Sequence, residues 1–174
     1  MSQFILFCDG GSRGNPGSAA GGFVFYEFEN TSSIQTYADF IKIKQNAVNK
    51  VISGEYLGQK TNNFAEWQGV LLGLKSIIRS LSINLNSANN ALFEGETNLK
   101  TATSKPKVTV FLDSELVVRQ AIGKYKVKNE DLKLCFTELK QLELSLGKVD
   151  YFHIYREFNK EADAEVNRIL DENK

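Results

Sequence analysis

The stretch FILFCDGGSRGNPGSAAGGFVFYEF, residues 4–28, decides the fold. Residues 3–9, with the unbroken apolar and aromatic run Phe4 to Cys8, read as a buried strand. The run closes on Asp9 and a glycine-rich turn that lasts to Gly17. A second apolar run, Gly21 to Phe28, follows at hairpin spacing, so the two strands are expected to pair antiparallel.

Further along, Val51 to Gln59 reads as a third strand. From Asn62 or Asn63 to Ser82, the positions Phe64, Trp67, Val70, Leu71, Leu74, Ile77, Ile78 and Leu81 make one apolar helix face that should cover the sheet. Pro106 opens a strand over Lys107 to Leu112, and Ser114 to Ile122 reads as a short helix that Gly123 ends. Asn129 caps a longer helix with Leu132, Cys135, Phe136, Leu139, Leu142 and Leu146 inward, stopped by Gly147. Lys148 to Arg156 is the fifth strand, and Asn159 caps a last helix to about Leu170. This order predicts an α/β fold, a mixed sheet with helices on its faces and right-handed crossovers between parallel strands. Two segments do not declare themselves. Residues 29–50 alternate weakly from Tyr37 to Lys44 and suit either an extra strand or an excursion. Residues 84–105 are rich in Asn, Ser and Thr, with too few apolar groups to offset ordering. Both are expected to be flexible insertions in a single domain spanning 1–174.

At 174 residues one domain can bury roughly 70% of its unfolded surface, so no covalent staples are required. Cys8 lies in the first strand and Cys135 on an apolar helix face, so both read as core thiols and a reducing compartment fits. No signal-peptide pattern and no apolar run of about 20 residues is present, which points to a soluble intracellular, cytoplasmic protein without a membrane partner. Twenty-one basic and 21 acidic residues balance to zero net charge, which excludes nucleic-acid binding by bulk charge alone. Two lysine clusters remain as local candidates for a phosphate backbone: Lys124, Lys126, Lys128 and Lys133, and Lys100, Lys105 and Lys107.

Four acids stand where they can converge: Asp9 and Asp113 at strand ends, Glu66 and Asp163 at helix starts. Crowded carboxylates repel, and a hard divalent cation with oxygen ligands, Mg²⁺ or Mn²⁺, is the usual reason to tolerate them. Alone, Asp9 would read as a turn residue and Asn62, Asn63 and Asn159 as helix caps. The set reads as a metal-dependent phosphoryl-transfer site.

DGGSRGNPG at 9–17, TNNFAE at 61–66, LDSELV at 112–117 and REFNKEAD at 156–163 together resemble type 1 ribonuclease H, over nearly the whole chain except 29–50 and 84–105. That resemblance implies three antiparallel strands plus two parallel to the first. It implies Asp9, Glu66, Asp113 and Asp163 as catalytic metal ligands, and an endonuclease that hydrolyses the RNA strand of RNA/DNA hybrids to 5′-phosphate and 3′-hydroxyl products. Two ions about 4 Å apart would activate water and stabilise the leaving 3′ oxygen, with Asp9 shared between them.

Residue type suggests the substrate contacts. Gly10, Gly11 and the rest of the turn would let a sugar-phosphate chain approach, with Asn15 as a hydrogen-bonding partner. Asn62 and Asn63 would read 2′ hydroxyls and the minor groove, and Ser114 is a further candidate backbone contact. Where some relatives carry a lysine-rich helix that grips DNA, this chain has only GKYKVKN, residues 123–129, as in the shorter bacterial and archaeal branch; Lys124, Lys126 and Lys128 would bind one or two phosphates there. The single histidine, His153, does not match the flexible loop histidine of some members and reads as a strand residue. Trp67 reads as core rather than as a stacking platform. The rival reading is a non-catalytic hybrid or double-stranded RNA binding module, which would gain nothing from four clustered negative charges; a DNA-cutting nuclease or resolvase of the same fold is a third. No protein partner is implied and a monomer is expected.

Overall fold

Along the first strand, β1 (Ser2–Gly14), side chains alternate between two buried faces: Phe4, Leu6 and Cys8 enter one apolar cluster, Ile5 and Phe7 another. A strand covered on both sides has no solvent-facing positions, so its sequence is a continuous apolar run. The computed structural model describes residues 2–29, 34–93 and 105–174. Strand β2 (Gly17–Glu29) pairs antiparallel with β1, and β3 (Asn49–Lys60) antiparallel with β2. Strands β4 (Lys107–Leu112) and β5 (Val149–His153) run parallel to β1, giving the order β3-β2-β1-β4-β5. This is the mixed five-stranded sheet that the motif order implied. The β1–β2 pairing persists to Gly14 opposite Gly17, so most of the expected glycine-rich turn is strand.

On one face lie α2 (Asn62–Phe93), α3 (Glu115–Ala121) and α4 (Glu130–Leu146), whose apolar sides join Phe4, Phe25, Val110 and Leu112 in the larger cluster. Trp67 is fully buried there, its Nε1 donating to Gln120 Oε1 at 3.2 Å, as a core residue and not an exposed platform. Cys8 and Cys135 are both buried and free, as expected. On the other face, α1 (Tyr37–Ile43) and α5 (Lys160–Glu172) complete the cover.

Helix α1 corrects the expectation of a flexible insertion at 29–50. Ile34, Tyr37, Phe40 and Ile43 recur every three residues, and Phe40 packs among Phe7, Tyr26, Phe28 and Tyr37 on the second face. Burial of one such ring contributes on the order of 2–3 kcal/mol, enough to hold a two-turn helix that could not stand alone. Helix α2 likewise runs through 84–93, where polar composition had suggested an insertion, because an established helix propagates at little cost through residues of modest propensity. The rest of that expected insertion, 94–104, lies outside the described residues. Among the described residues no helix is both long and apolar enough to cross a membrane.

Candidate active site

The parallel ladder between β1 and β4 ends at Cys8 opposite Leu112, so Asp9 and Asp113 each follow the last paired residue and emerge side by side. The carboxyl ends of parallel strands are where α/β folds open to ligands. Glu66 reaches the same place because α2 crosses β1 and β2 at unusually short range. A Cβ built on Gly10 would lie 2.1 Å from the Ala65 carbonyl carbon and from the Glu66 backbone nitrogen, and one on Gly69 would lie 2.3 Å from the Asp9 backbone carbonyl oxygen. The glycines of the DGG motif therefore make room first for helix α2 and only then for any substrate. Asp163, in the first turn of α5, supplies the fourth acid. All four carboxylates line one cleft of about 320 Å³, together with Gly10, Gly11 and Asn62.

Each acid is held differently. Asn62 donates through Nδ2 to Glu66 Oε1 at 3.0 Å, and Ser114 donates through Oγ to Glu66 Oε2 at 2.7 Å. Ser114 also caps α3, so its hydroxyl is directed to Glu66 and the helix rather than outward. Asn62 Oδ1 accepts from the Ser12 amide at 3.2 Å and its own amide donates to Asn15 Oδ1 at 3.1 Å, which ties the start of α2 to the DGG segment. Asn159 was expected only to cap the last helix, yet its side chain makes no capping bond. It is 1% exposed and donates instead to the Cys8 carbonyl at 2.8 Å and to Asp113 Oδ1 at 3.0 Å, so one amide spans β1, the end of β4 and the start of α5. Asp163 accepts from Arg156 Nη2 at 2.7 Å and from Asn167 Nδ2 at 3.0 Å.

Neither Asn159 nor Arg156 was recognised as part of the site from sequence. Both lie inside REFNKEAD, and an asparagine or arginine within four to seven residues of a site acid was the available signal.

Asp9 has few such donors. Burial, with the neighbouring Asp113 and Asp163 carboxylates, raises its pKa from 3.8 to about 7 against the opposing pull of the Gly10 amide and Arg156. Burial also raises Glu66, reinforced by Asp113 and opposed by Ser114 and Asn62. Two buried acceptor atoms nearby, Ser12 Oγ and Asn159 Oδ1, have no hydrogen-bond partner.

These observations fit a hard divalent cation: the donors are carboxylate oxygens, and the ionised form of Asp9 is disfavoured by burial and by its acidic neighbours, which a bound cation would offset. As the side chains stand, with carboxylates turned to Asn62, Ser114, Asn159 and Arg156, no three His, Cys, Asp or Glu groups among the described residues converge on one ion.

The other sequence candidates lie outside this cleft. Asn63 lines a neighbouring groove of about 400 Å³ with Asn15, Thr61 and Asn129. Lys124, Lys126 and Lys128 are exposed on the loop between α3 and α4. Lys105 donates to the Leu144 carbonyl at 2.7 Å, and Lys100 is outside the described residues. His153 ends β5, in keeping with a strand role.

Residues 90–169 match the family described as "Reverse transcriptase-like". The chain is 27% identical over 169 residues to the "Bifunctional protein Rv2228c" of Mycobacterium tuberculosis, covering 97% of this chain and 36% of that protein. It thus spans about a third of the length of the curated mycobacterial relatives it matches. Among solved structures, LC11-RNase H1, isolated from compost by a metagenomic approach, is 31% identical with a TM-score of 0.66 over 99% of both chains. LC11-RNase H1 in complex with an RNA/DNA hybrid superposes with the same TM-score at 28% identity, covering 98% of this chain and 99% of that one.

Proposed function

We propose that this chain, which belongs to the type 1 ribonuclease H family, is an endonuclease that hydrolyses the RNA strand of RNA/DNA hybrids to 5′-phosphate and 3′-hydroxyl products. The observation that carries the reading is the convergence of Asp9, Glu66, Asp113 and Asp163 on one cleft where the parallel ladder between β1 and β4 ends. The likeness to a protein solved with an RNA/DNA hybrid supports the choice of substrate.

Held by these four acids, two divalent ions, Mg²⁺ or Mn²⁺, would supply activation of water for in-line attack and neutralisation of the phosphate charge. The chain's own part is orientation. Asn62 and Ser114 fix Glu66 from two sides, and Asn159 aligns Asp113 against the β1 backbone. All are neutral donors, so they position the carboxylates without cancelling the charge that ligation needs. Asn15, Asn63 and the exposed Lys124, Lys126 and Lys128 of the loop between α3 and α4 would contact the sugar-phosphate backbone, which favours A-like geometry over base sequence.

The test is cleavage of an end-labelled hybrid with and without Mg²⁺ or Mn²⁺, beside double-stranded RNA, double-stranded DNA and the Asp9→Asn variant. Metal-dependent cutting confined to the RNA of the hybrid, and lost in the variant, is the expected result. Cutting retained by a folded Asp9→Asn protein refutes the residue assignment. Tight hybrid binding without any cutting would favour the non-catalytic module.

A further inference from the structure

The 3₁₀ turn Arg156–Phe158 borders two clefts at once. Arg156 lines the acidic cleft and pairs with Asp163, whereas Phe158 lines a second cleft of about 270 Å³ with Tyr37, Phe40, Lys44 and Lys160. The aromatic rings here form a continuous row. His153 and Tyr155 have ring centroids 6.3 Å apart, Tyr155 and Phe158 also 6.3 Å, and Phe158 stacks on Tyr37 at 4.6 Å with 22° between planes.

Two of these rings are not needed by the core: Tyr155 is 71% exposed and Phe158 38%. Large apolar groups grouped in solvent mark a binding surface more often than scattered ones do. The charge around them is mixed, since Lys44, Lys160, Glu157 and Glu161 all line the cleft. Glu161 is matched by Lys44 and Lys50, while Lys160 lines the cleft without a carboxylate partner among the described residues.

Aromatic faces beside a free cation are how proteins hold unpaired nucleotides: bases stack on the rings and the backbone follows the charge. Bases inside a duplex are already stacked and offer no free face. Tyr155 directly precedes Arg156, which lines the acidic cleft, so the exposed rings adjoin that cleft.

We propose that the exposed Tyr155, with Phe158 held beside it by Tyr37, forms a stacking platform for unpaired nucleotides adjoining the hybrid, so that hybrids bearing a single-stranded extension are preferred over blunt ones. This inference rests on the proposed hybrid-cleaving activity and names a further feature of its substrate.

The experiment compares steady-state cleavage of a blunt RNA/DNA hybrid with the same hybrid carrying a short unpaired extension at either RNA end, the extension containing 2-aminopurine. Wild-type protein, Tyr155→Ala and Tyr155→Phe are measured on each. The expected result is a KM about 5-fold or more lower for the extended substrate, the lower end of what one stacked base contributes. Quenching of 2-aminopurine should accompany it. Tyr155→Ala should erase both the preference and the quenching, and Tyr155→Phe, which keeps the ring face, should retain them.

Equal KM values on blunt and extended hybrids with wild-type protein overturn the platform while leaving the cleavage reading intact. A Tyr155→Ala effect equal on both substrates, or a Tyr155→Phe loss as large as that of Tyr155→Ala, overturns it too. No cutting of either hybrid by wild-type protein overturns the activity and, with it, this inference.

Discussion

Replacing Asn159 should damage stability and catalysis together. Its buried amide donates to the Cys8 carbonyl and to Asp113 Oδ1, at 2.8 and 3.0 Å. A neutral hydrogen bond contributes about 1 kcal/mol net and one to a charged group about 1.5–3 kcal/mol. Against this, Asn159 Oδ1 is buried without a partner, and removing it returns about 1 kcal/mol. Asn159→Ala should therefore cost about 1.5–3 kcal/mol, which for a domain of this length lowers Tm by about 3–12 °C. Asp113, freed from its donor, should lose alignment, and kcat on a hybrid should fall between about 10- and 100-fold. Asn159→Asp keeps the shape but sets a second carboxylate where the amide donated to Asp113. Its folded form then takes up a proton more readily than its unfolded form, so its deficit should exceed that of Asn159→Ala at neutral pH and shrink as pH falls toward 4. Calorimetry at several pH values and single-turnover kinetics measure both halves. A Tm within about 1 °C of wild type for Asn159→Ala refutes the clamp, and a large Tm loss with full kcat refutes its link to Asp113.

Three further outcomes follow from the electrostatics. The Asp9 carboxyl is raised to about 7 when folded, against 3.8 unfolded, so the folded state binds more protons between those values and stability falls as pH rises through that window. Asp9→Asn should accordingly raise stability above pH 7 by roughly 2–4 kcal/mol when divalent ions are chelated, while abolishing cleavage; an unchanged melting curve would contradict this. Glu161 behaves oppositely. Burial would raise its pKa, but Lys44, Lys50 and Tyr26 hold it down to about 2, so its stabilising share is present above pH 4.5 and lost as pH falls toward 2. Since its side chain is 38% exposed, the share is discounted to about 1 kcal/mol, and Glu161→Gln should flatten the acid limb of the stability profile by that amount. Arg156→Ala removes the cation that now pairs with Asp163, and an exposed pair contributes about 0.2–1 kcal/mol. The Mg²⁺ concentration for half-maximal thermal stabilisation should drop by up to about 5-fold; no drop, or a rise, would show that Arg156 does not compete for the acid.

Much of this architecture was readable from periodicity. β4, α3 and α4 begin and end within about two residues of their expected bounds because Pro106, Asn129, Gly123 and Gly147 punctuate strong apolar patterns. That the four acids would meet in one cleft was readable because strand and helix boundaries fix where a side chain emerges. What escaped depended on contacts between distant elements. Gly10 and Gly69 look like turn or packing glycines alone, and only the crossing of α2 over β1 explains them. Asn159 has a capping residue's sequence context, yet a buried carbonyl 151 positions earlier claims its amide. Helix α1 was hidden because its seven residues carry too few apolar positions to separate a helical from an alternating period.

The distribution of donors around the acids also bears on how the site meets a cation. Glu66 has two neutral donors, Asp113 has one, and Asp163 has one neutral and one charged. Asp9 is left with the Gly10 amide and the most unfavourable surroundings, so the free energy gained on binding a divalent ion is concentrated there. A fold could relieve Asp9 internally with a buried lysine or arginine, but that cation would then have to be expelled from the interior before ligation, at the cost of an unpaired buried charge. The chain places the Arg156 guanidinium at the rim instead, 78% exposed, where release into water costs little. The interior keeps only amides and a hydroxyl, which steer the carboxylates and leave their charge intact. Instability at Asp9 in the ion-free protein is thus the counterpart of affinity for the ion, and the two should move together in any variant that alters the charge around Asp9.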